Sequence, residues 1–374
     1  MGKVDFINKE NLRIARENMG MSTSFVSGKF NKSGKDVVAS WESGENLPTW
    51  RQISVLAKTF NIPELLFFSN DIIKQNKTIP DYRVSNYDDD SNRIKKLVNF
   101  VIKRQEWLGE KMKRDGHKNL LQGSGKDLNP KQLAFFIKTK LGISNDDIKN
   151  ITGVDCKKNT LKYLIEKIES RGIFVGKTIS HHRISVKEMR GLFISHDYCP
   201  FIVINRKDSQ SAQIFSLVHE LAHFFRKTEA VSNSLEFRKD DGINKEETFC
   251  NRVAVELLLP SDDFKQIFYT KSDIDYLSEV YKVSTLAIFY RLKELKKIKS
   301  IDSEIIESLI KKEQEENLKL KKNKEKNKSG GNYFYNMRDS NGNLFNSMVS
   351  KYYFENRIGY TEASNILRFS VESL

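Results

Sequence analysis

The amino-acid sequence predicts an α+β chain that is mostly helical, with an all-α unit at its N-terminus, a mixed domain in its middle and a helical region at its C-terminus. Three observations predict it. Apolar residues recur at helical spacing through most of the 374 residues. Two short apolar runs, Ile173-Phe174-Val175 and Phe201-Ile202-Val203-Ile204, have the length of buried strands. Stretches without an apolar period, at residues 73–90 and 301–331, divide the chain.

The chain is long enough for two or three domains with cores of their own. Its formal net charge of +14 favours an anionic partner, a nucleic acid being the ordinary one, although part of the excess sits in a lysine run. Cys156, Cys199 and Cys250 are widely spaced and odd in number, which excludes a disulfide framework and a Cys-x-x-Cys metal knuckle. No run of about 18 apolar residues exists, and Met1-Gly2-Lys3-Val4-Asp5-Phe6 holds no hydrophobic signal core. The expectation is a cytoplasmic protein with no membrane partner.

Residues 1–72 read as a compact helical domain. Asn8 or Asn11 can cap a helix through Met19, Gly20 ends it, and Ser22 opens a second helix with Phe25, Val26 and Phe30 at helical spacing. After a turn at residues 31–34, residues 35–42 form a third helix with Val37, Val38 and Trp41 inward. Gly44 ends it, and Pro48 lies near the start of a fourth helix through Phe60. Two short helices joined by a turn of about four residues, with lysines around the second, form a helix-turn-helix, whose second helix enters the major groove. Lys32, Ser33, Lys35, Asp36 and Ser40 are then the candidates to face DNA, with Lys29 and Arg51 nearer the phosphates. Asp36 is an awkward neighbour for phosphate; a base contact or a contact within the protein is its alternative. The same fold also serves as a small protein-interaction domain.

Residues 73–90, with Asp88-Asp89-Asp90, suit a linker. An amphipathic pattern returns over 91–112, 116–130 is loop, and 130–141, 145–152 and 161–171 read as helices ahead of the first strand. His117, His181, His182 and His196 lack partner spacing and read as surface residues.

The chemistry concentrates in Leu217-Val218-His219-Glu220-Leu221-Ala222-His223-Phe224-Phe225. Residues four apart lie one turn above each other on a helix, so the imidazoles of His219 and His223 can reach one metal ion, with Glu220 beside it as the general base. Polar groups in so apolar a run need a metal or a hydrogen-bond partner, because an unpaired buried polar group costs about 1 to 3 kcal/mol. A catalytic zinc takes a third protein ligand and keeps its fourth position open. Residues 245–260 offer that ligand on an apolar-periodic helix stopped by Pro260, with Glu247, Asn251, Ala254 and Leu258 on one stripe. Glu247 is the third-ligand candidate, and Asn251 a candidate support behind the ligands. Glu246 points elsewhere and reads as a solvated first-turn acid, a reading open to Glu247 as well, while Cys250, a conceivable soft ligand, faces away from the stripe and reads as a small buried cysteine.

Beyond Pro260, Ser261-Asp262-Asp263 begins another helix, and helices over 274–281 and 286–295 have a helix-turn-helix flavour that is read as packing. Residues 311–331 form a Lys/Glu/Asn run ending in Ser329-Gly330-Gly331, a solvated helix that frays into a linker. The tail carries Phe345, Val349, Tyr352 and Leu367 and is too apolar for disorder. A substrate sensor, a dimer contact and a lid are the roles open to it.

These motifs resemble two families. H-E-L-A-H at 219–223 followed by E-x-x-C-N-R-V-A-V-E-L-L-L-P at 247–260 resembles the ImmA/IrrE metallopeptidases over roughly residues 160–295. That family reads E-x-x-A-N-x-F-A-x-x-L-L-M-P in the second motif, so Cys250 and Val253 are departures and the proposed ligand maps onto Glu247. Its R-G-L segment and short strand ahead of the metal helix correspond to Arg190-Gly191-Leu192 and residues 199–205; Ile214 stands where the family often has an arginine. L-x-x-A-R-E-x-x-G-M-S through W-E-S-G-E-N-L-P-T-W resembles the XRE (Cro/CI-type) helix-turn-helix family.

Together the resemblances imply an XRE-type helix-turn-helix domain at 1–72, a linker at 73–90, a zincin-like, gluzincin-type metallopeptidase domain at 91–300, a charged linker at 301–331 and a helical appendage at 332–374. They imply one catalytic Zn2+ held by His219, His223 and Glu247. The implied function is a DNA-binding endopeptidase that regulates transcription by cleaving a repressor or antitoxin, itself a helix-turn-helix protein, in a mobile-element, toxin-antitoxin or stress-response locus. A homodimer would match palindromic half-sites. The reading from another class is a transcriptional regulator or antitoxin whose metallopeptidase-like domain senses a ligand or binds a partner without cleaving. An intact Glu220 speaks against it, because holding zinc requires no general base.

Overall fold

The computed structural model describes residues 3–4, 6–19, 21–30, 35–60, 62–72, 89–178, 184–228, 230–232, 245–298, 308 and 333–373. The chain divides into two compact units, Met1–Ile102 and Lys103–Leu374.

The first unit is built from α1 (Lys9–Asn18), α2 (Thr23–Ser27), α3 (Val37–Ser43) and α4 (Trp50–Phe60), followed by a 3-10 turn at Glu64–Phe67. Three of these helices start for a local reason. Asn8 accepts from Asn11 N, Ser22 from Phe25 N and Asp36 from Ala39 N, satisfying N–H groups that a helix N-terminus leaves over. Because Asp36 is the cap, α3 begins at Val37 rather than at residue 35. Gly44, at φ 86°, ends α3 in a left-handed conformation that a side chain would resist. Leu12, Met19, Val26, Val38, Trp41, Ile53 and Leu56 form the core. Arg16 of the A-R-E motif and Glu42 of W-E-S form a two-pronged ion pair at 2.6 and 2.9 Å, and Arg16 also donates to Met21 O at 2.7 Å. Two of the residues that carry the helix-turn-helix resemblance therefore join α1 to α3.

The boundary between the units falls inside α5 (Asp89–Arg114). The second unit continues with α6 (Pro130–Leu141), α7 (Asn145–Asn150) and α8 (Cys156–Glu169), then β1 (Phe174–Lys177), β2 (Gly191–Ile194), β3 (Phe201–Ile204), α9 (Gln210–Arg226), β4 (Ala230–Ser232) and α10 (Lys245–Leu258). After these come α11 (Lys271–Tyr281), α12 (Thr285–Glu294), α13 (Tyr333–Asn341), α14 (Asn343–Phe354) and α15 (Tyr360–Leu367). The sheet order is β1-β3-β2-β4, with β1 parallel to β3 and the other pairs antiparallel. β2 and β3 are buried along their whole length, so they read as continuous apolar runs rather than alternating ones.

The two faces of the sheet have different covers. Val175, Phe193, Ile202 and Ile204 join the core that includes Leu217, Leu221 and Phe224 of α9, whereas Phe174 and Phe201 stack at 5.1 Å and meet Phe345 of α14 at 5.8 Å from Phe201. The C-terminal helices are thus a layer of this unit. They are anchored by Tyr352 and Arg357 on Asp115 and by Ser340 Oγ donating to Lys177 O at 2.6 Å.

Beyond Pro260 the structure departs from the expected helix. Ser261–Asp263 makes only a 3-10 turn, because Phe264 is buried and Asp263 accepts from Lys149 at 2.7 Å and Tyr281 at 3.0 Å. The α11–α12 pair is packing, with Ile288 and Leu292 buried in the core. The lysine run at 311–331 and His181 and His182 lie outside the described residues, and His196 is a capping residue whose Nδ1 accepts from Tyr198 N and Cys199 N.

Candidate metal centre

Helix α9 starts where Ser209 accepts from Ala212 N, and residues 212–225 are all buried. This apolar sheath puts His219 and His223 on one face, with 2% and 0% exposure, and Glu220 at 0%. α10 packs across α9 and α6 and brings Glu247 to the same place. His219 Nε2 lies 3.1 Å from His223 Nε2 and 3.1 Å from Glu247 Oε2, and His223 Nε2 lies 3.2 Å from Glu247 Oε1. Two ligands about 2.1 Å from a tetrahedral zinc are about 3.4 Å apart, so the three donor groups already stand within a few tenths of an ångström of zinc-binding separations. Two nitrogens and a carboxylate oxygen are also a donor set that zinc accepts. His219, His223 and Glu247 form a group able to hold an ion. Burial pushes the Glu247 carboxyl towards neutrality, but its contacts with the His219 and His223 rings outweigh it and hold the group well below the usual carboxylate range.

Glu220 packs against the backbone of β2. A Cβ on Gly191 would collide with Glu220 Oε1 and stand 2.8 Å from its Cγ, so the glycine of R-G-L is the space that the Glu220 side chain occupies. Arg190, beside it, donates to the buried Asp208 at 2.7 Å.

Glu246 is not the solvated acid that helical phase suggests. It accepts from Arg226 Nη2 at 2.9 Å and from Thr228 Oγ1 at 3.1 Å, and Thr228 Oγ1 is 2.9 Å from His223 Nδ1. Burial raises its carboxyl, the Arg226 hydrogen bond and charge lower it, and the net direction is down. Cys250 is buried, burial pushes its thiol up, and its Sγ stands with His223 and Glu246 in a second group whose ligand atoms lie within 4.8 Å of one another. Asn251 stands beside Glu247 in helical phase, but its Oδ1 is buried with no hydrogen-bond partner among the described residues. Sequence reasoning placed Gly191 in the R-G-L segment without its contact to Glu220, and it missed Thr228 and Arg226, which have no motif of their own; the adjacent glutamates 246 and 247 were the visible signal.

Of the DNA-facing candidates, Lys29, Lys35 and Arg51 are exposed, while Lys32 and Ser33 lie outside the described residues. Asp36 is committed to the fold, since its carboxylate accepts from Thr23 Oγ1 at 2.5 Å, Ser27 Oγ at 2.6 Å and Ala39 N at 3.1 Å. That is the contact within the protein named as its alternative. Ser40 Oγ donates to Val37 O at 2.7 Å, within its own helix.

Residues 176–293 match the family model of the IrrE N-terminal-like domain, Peptidase M78. The match runs from β1 through α12 and includes all of His219, Glu220, His223 and Glu247. It supports a metallopeptidase-type domain over these residues, a type that takes a metal ion, typically zinc, and it reaches neither the first unit nor α13–α15. No curated protein and no solved structure matches the chain significantly. Among the described residues no helix is long and apolar enough to cross a membrane.

Proposed function

We propose that this protein is a zinc-dependent endopeptidase with a DNA-binding head, which regulates transcription by cleaving a repressor or antitoxin-type regulator. The observation that carries the reading is the convergence of His219, His223 and Glu247 within 3.1–3.2 Å of one another. His219, His223 and Glu247 would hold the ion. Bound there, zinc supplies a Lewis acid that lowers the pKa of a coordinated water to about 7 and polarises a carbonyl. Glu220 takes the proton of the attacking water on its carboxylate and returns it to the leaving amine. Glu247 is 22% exposed in its side chain, so the site meets solvent on that side. β4 pairs with β2 and has no other strand beside it among the described residues, which supports an extended peptide as substrate, added to that edge by main-chain hydrogen bonds.

The head is supported by α2 and α3, by exposed Lys29, Lys35 and Arg51, and by the charge of +14. It would bring the peptidase to the locus where its substrate is bound. Comparing new protein N-termini in cells that express the wild-type chain and the Glu220→Gln variant, with and without genotoxic stress, tests the whole reading. A terminus that appears only with the wild type is expected and identifies the substrate. None under either condition, with zinc still bound, would replace the reading with a non-cleaving sensor or antitoxin.

A further inference from the structure

A chain of polar side chains leads away from the far nitrogen of His223 and is not used by the reaction above. His223 Nδ1 is 2.9 Å from Thr228 Oγ1, Thr228 Oγ1 is 3.1 Å from Glu246 Oε1, and Arg226 grips both oxygens of Glu246. Chemistry sets the direction of these bonds. An ionised carboxylate only accepts, so the Thr228 hydroxyl donates to Glu246 and turns its lone pairs towards His223. Nδ1 of His223 is therefore the donor. A neutral imidazole carries a single N–H, so Nε2 keeps its lone pair, and Nε2 is the atom that faces His219 and Glu247.

We propose that Thr228, Glu246 and Arg226 are positioning residues that lock His223 in its Nδ1–H form and present Nε2 to the zinc ion. The inference rests on the metal reading above. Three further observations show that the relay is built in. Lys227 caps α9 at φ 57°, a left-handed turn that a non-glycine residue adopts only at a cost, and this turn returns Thr228 N to His223 O at 3.1 Å. The Arg226 guanidinium lies 4.1 Å over the Phe249 ring and donates to Lys126 O at 3.0 Å, so it is fixed from two sides. His219 contrasts with His223: its Nδ1 is buried with no hydrogen-bond partner among the described residues. Orientation by hydrogen bonds thus falls on His223, and His219 is held by the packing of α9.

The test uses the full chain and two metals. Zinc affinity is measured by competition with a chelator, and the visible absorption of the cobalt(II) form reports ligand geometry. Thr228→Val removes the hydroxyl at nearly constant volume, and Glu246→Gln removes the charge that orients it. Each is expected to weaken zinc binding about 10- to 100-fold and to change the cobalt spectrum, with the far-UV circular dichroism of the metal-free chain unmoved. Thr228→Ser restores the wild-type values. Wild-type affinity and spectrum in both Thr228→Val and Glu246→Gln would overturn the inference, and so would a weakening that Thr228→Ser does not restore. A wild-type chain that takes up no zinc would instead overturn the metal reading, and this inference with it.

Discussion

Substituting Gly191 by alanine should separate catalysis from metal binding. The added Cβ would stand 2.8 Å from Glu220 Cγ, 2.9 Å from its Cδ and closer still to Oε1. Relief to a contact of about 3.5 Å requires the carboxylate to move by about 1 Å. Gly191 is not among the glycines with positive φ, so the backbone accepts alanine and the strain falls on the neighbour. That neighbour is a buried side chain whose Cγ must move as well as its carboxylate, so the stability loss should fall within the about 1 to 3 kcal/mol typical of overpacking. Activity is less forgiving. A misplacement of about 1 Å costs on the order of 100-fold in rate, or about 2.7 kcal/mol of barrier. His219, His223 and Glu247 are not among the atoms nearest that Cβ, so zinc stoichiometry should stay at the wild-type value. Cleavage of the substrate found by N-terminal profiling, zinc content and a melting curve read the three quantities. Wild-type cleavage by Gly191→Ala would refute the reasoning, because it would mean that the position of Glu220 against β2 does not matter.

His223→Ala and Glu247→Ala should each lose zinc, measured by metal analysis after dialysis, while Glu220→Gln retains it. Glu169 is buried against the backbone N–H groups of Leu344, Val175 and Asn343, and burial dominates, raising its pKa from an ordinary 4.5 to about 7. The native state therefore binds this proton more tightly than the unfolded chain. Its stabilising contribution is full below about pH 4.5 and is lost as pH rises through 7, by about 3 kcal/mol. Urea midpoints at pH 5 and pH 8 should converge in Glu169→Gln, and an undiminished difference would count against the assignment. Gly342 has φ 84° and a Cβ there would collide with Val175 O and stand 3.0 Å from the carbonyl carbon, so Gly342→Ala should cost at least about 2 kcal/mol and expose α13–α15 to limited proteolysis. In DNA binding followed by anisotropy, changing Lys29 and Lys35 to alanine should flatten the slope of log affinity against log salt by about one for each phosphate interaction removed.

The metal helix was legible because what identifies it is local: an apolar sheath and two histidines one turn apart within one helix. Asn8, Ser22 and Gly44 were legible for the same reason, since caps act over three or four residues. β2 and β4 were not, because Gly-Leu-Phe-Ile and Ala-Val-Ser are too short for a period, and pairing with β3 and β2 makes them strands. The Thr228 relay was illegible for a different reason. It depends on Lys227 adopting φ 57°, which no residue type in that segment announces, and on Glu246 approaching from another helix. Helical phase does turn Glu246 away from Glu247 within α10. Solvent is not what it meets there, because the last turn of α9 brings Arg226 to that side.

The placement of the C-terminal helices changes what the tail can be. Sequence left a sensor, a dimer contact and a lid open, but a lid must be able to leave, and α14 covers Phe174 and Phe201. Exposing two such rings would cost on the order of 3 to 6 kcal/mol, comparable to the stability of a whole domain. The same helices sit on β1, where Gly176 and Gly342 let the backbones approach and Ser340 bonds to Lys177 O. One edge of the sheet is thereby covered by the chain itself. The other edge strand, β4, has no second strand beside it among the described residues and packs on α9, the helix that carries His219 and His223. An open edge invites pairing with any extended chain, and folds that leave one without a use for it risk aggregation. On the proposed function that edge has a use: it aligns a peptide with the helix that holds the metal ligands, while the tail keeps the opposite edge from competing for the same strand.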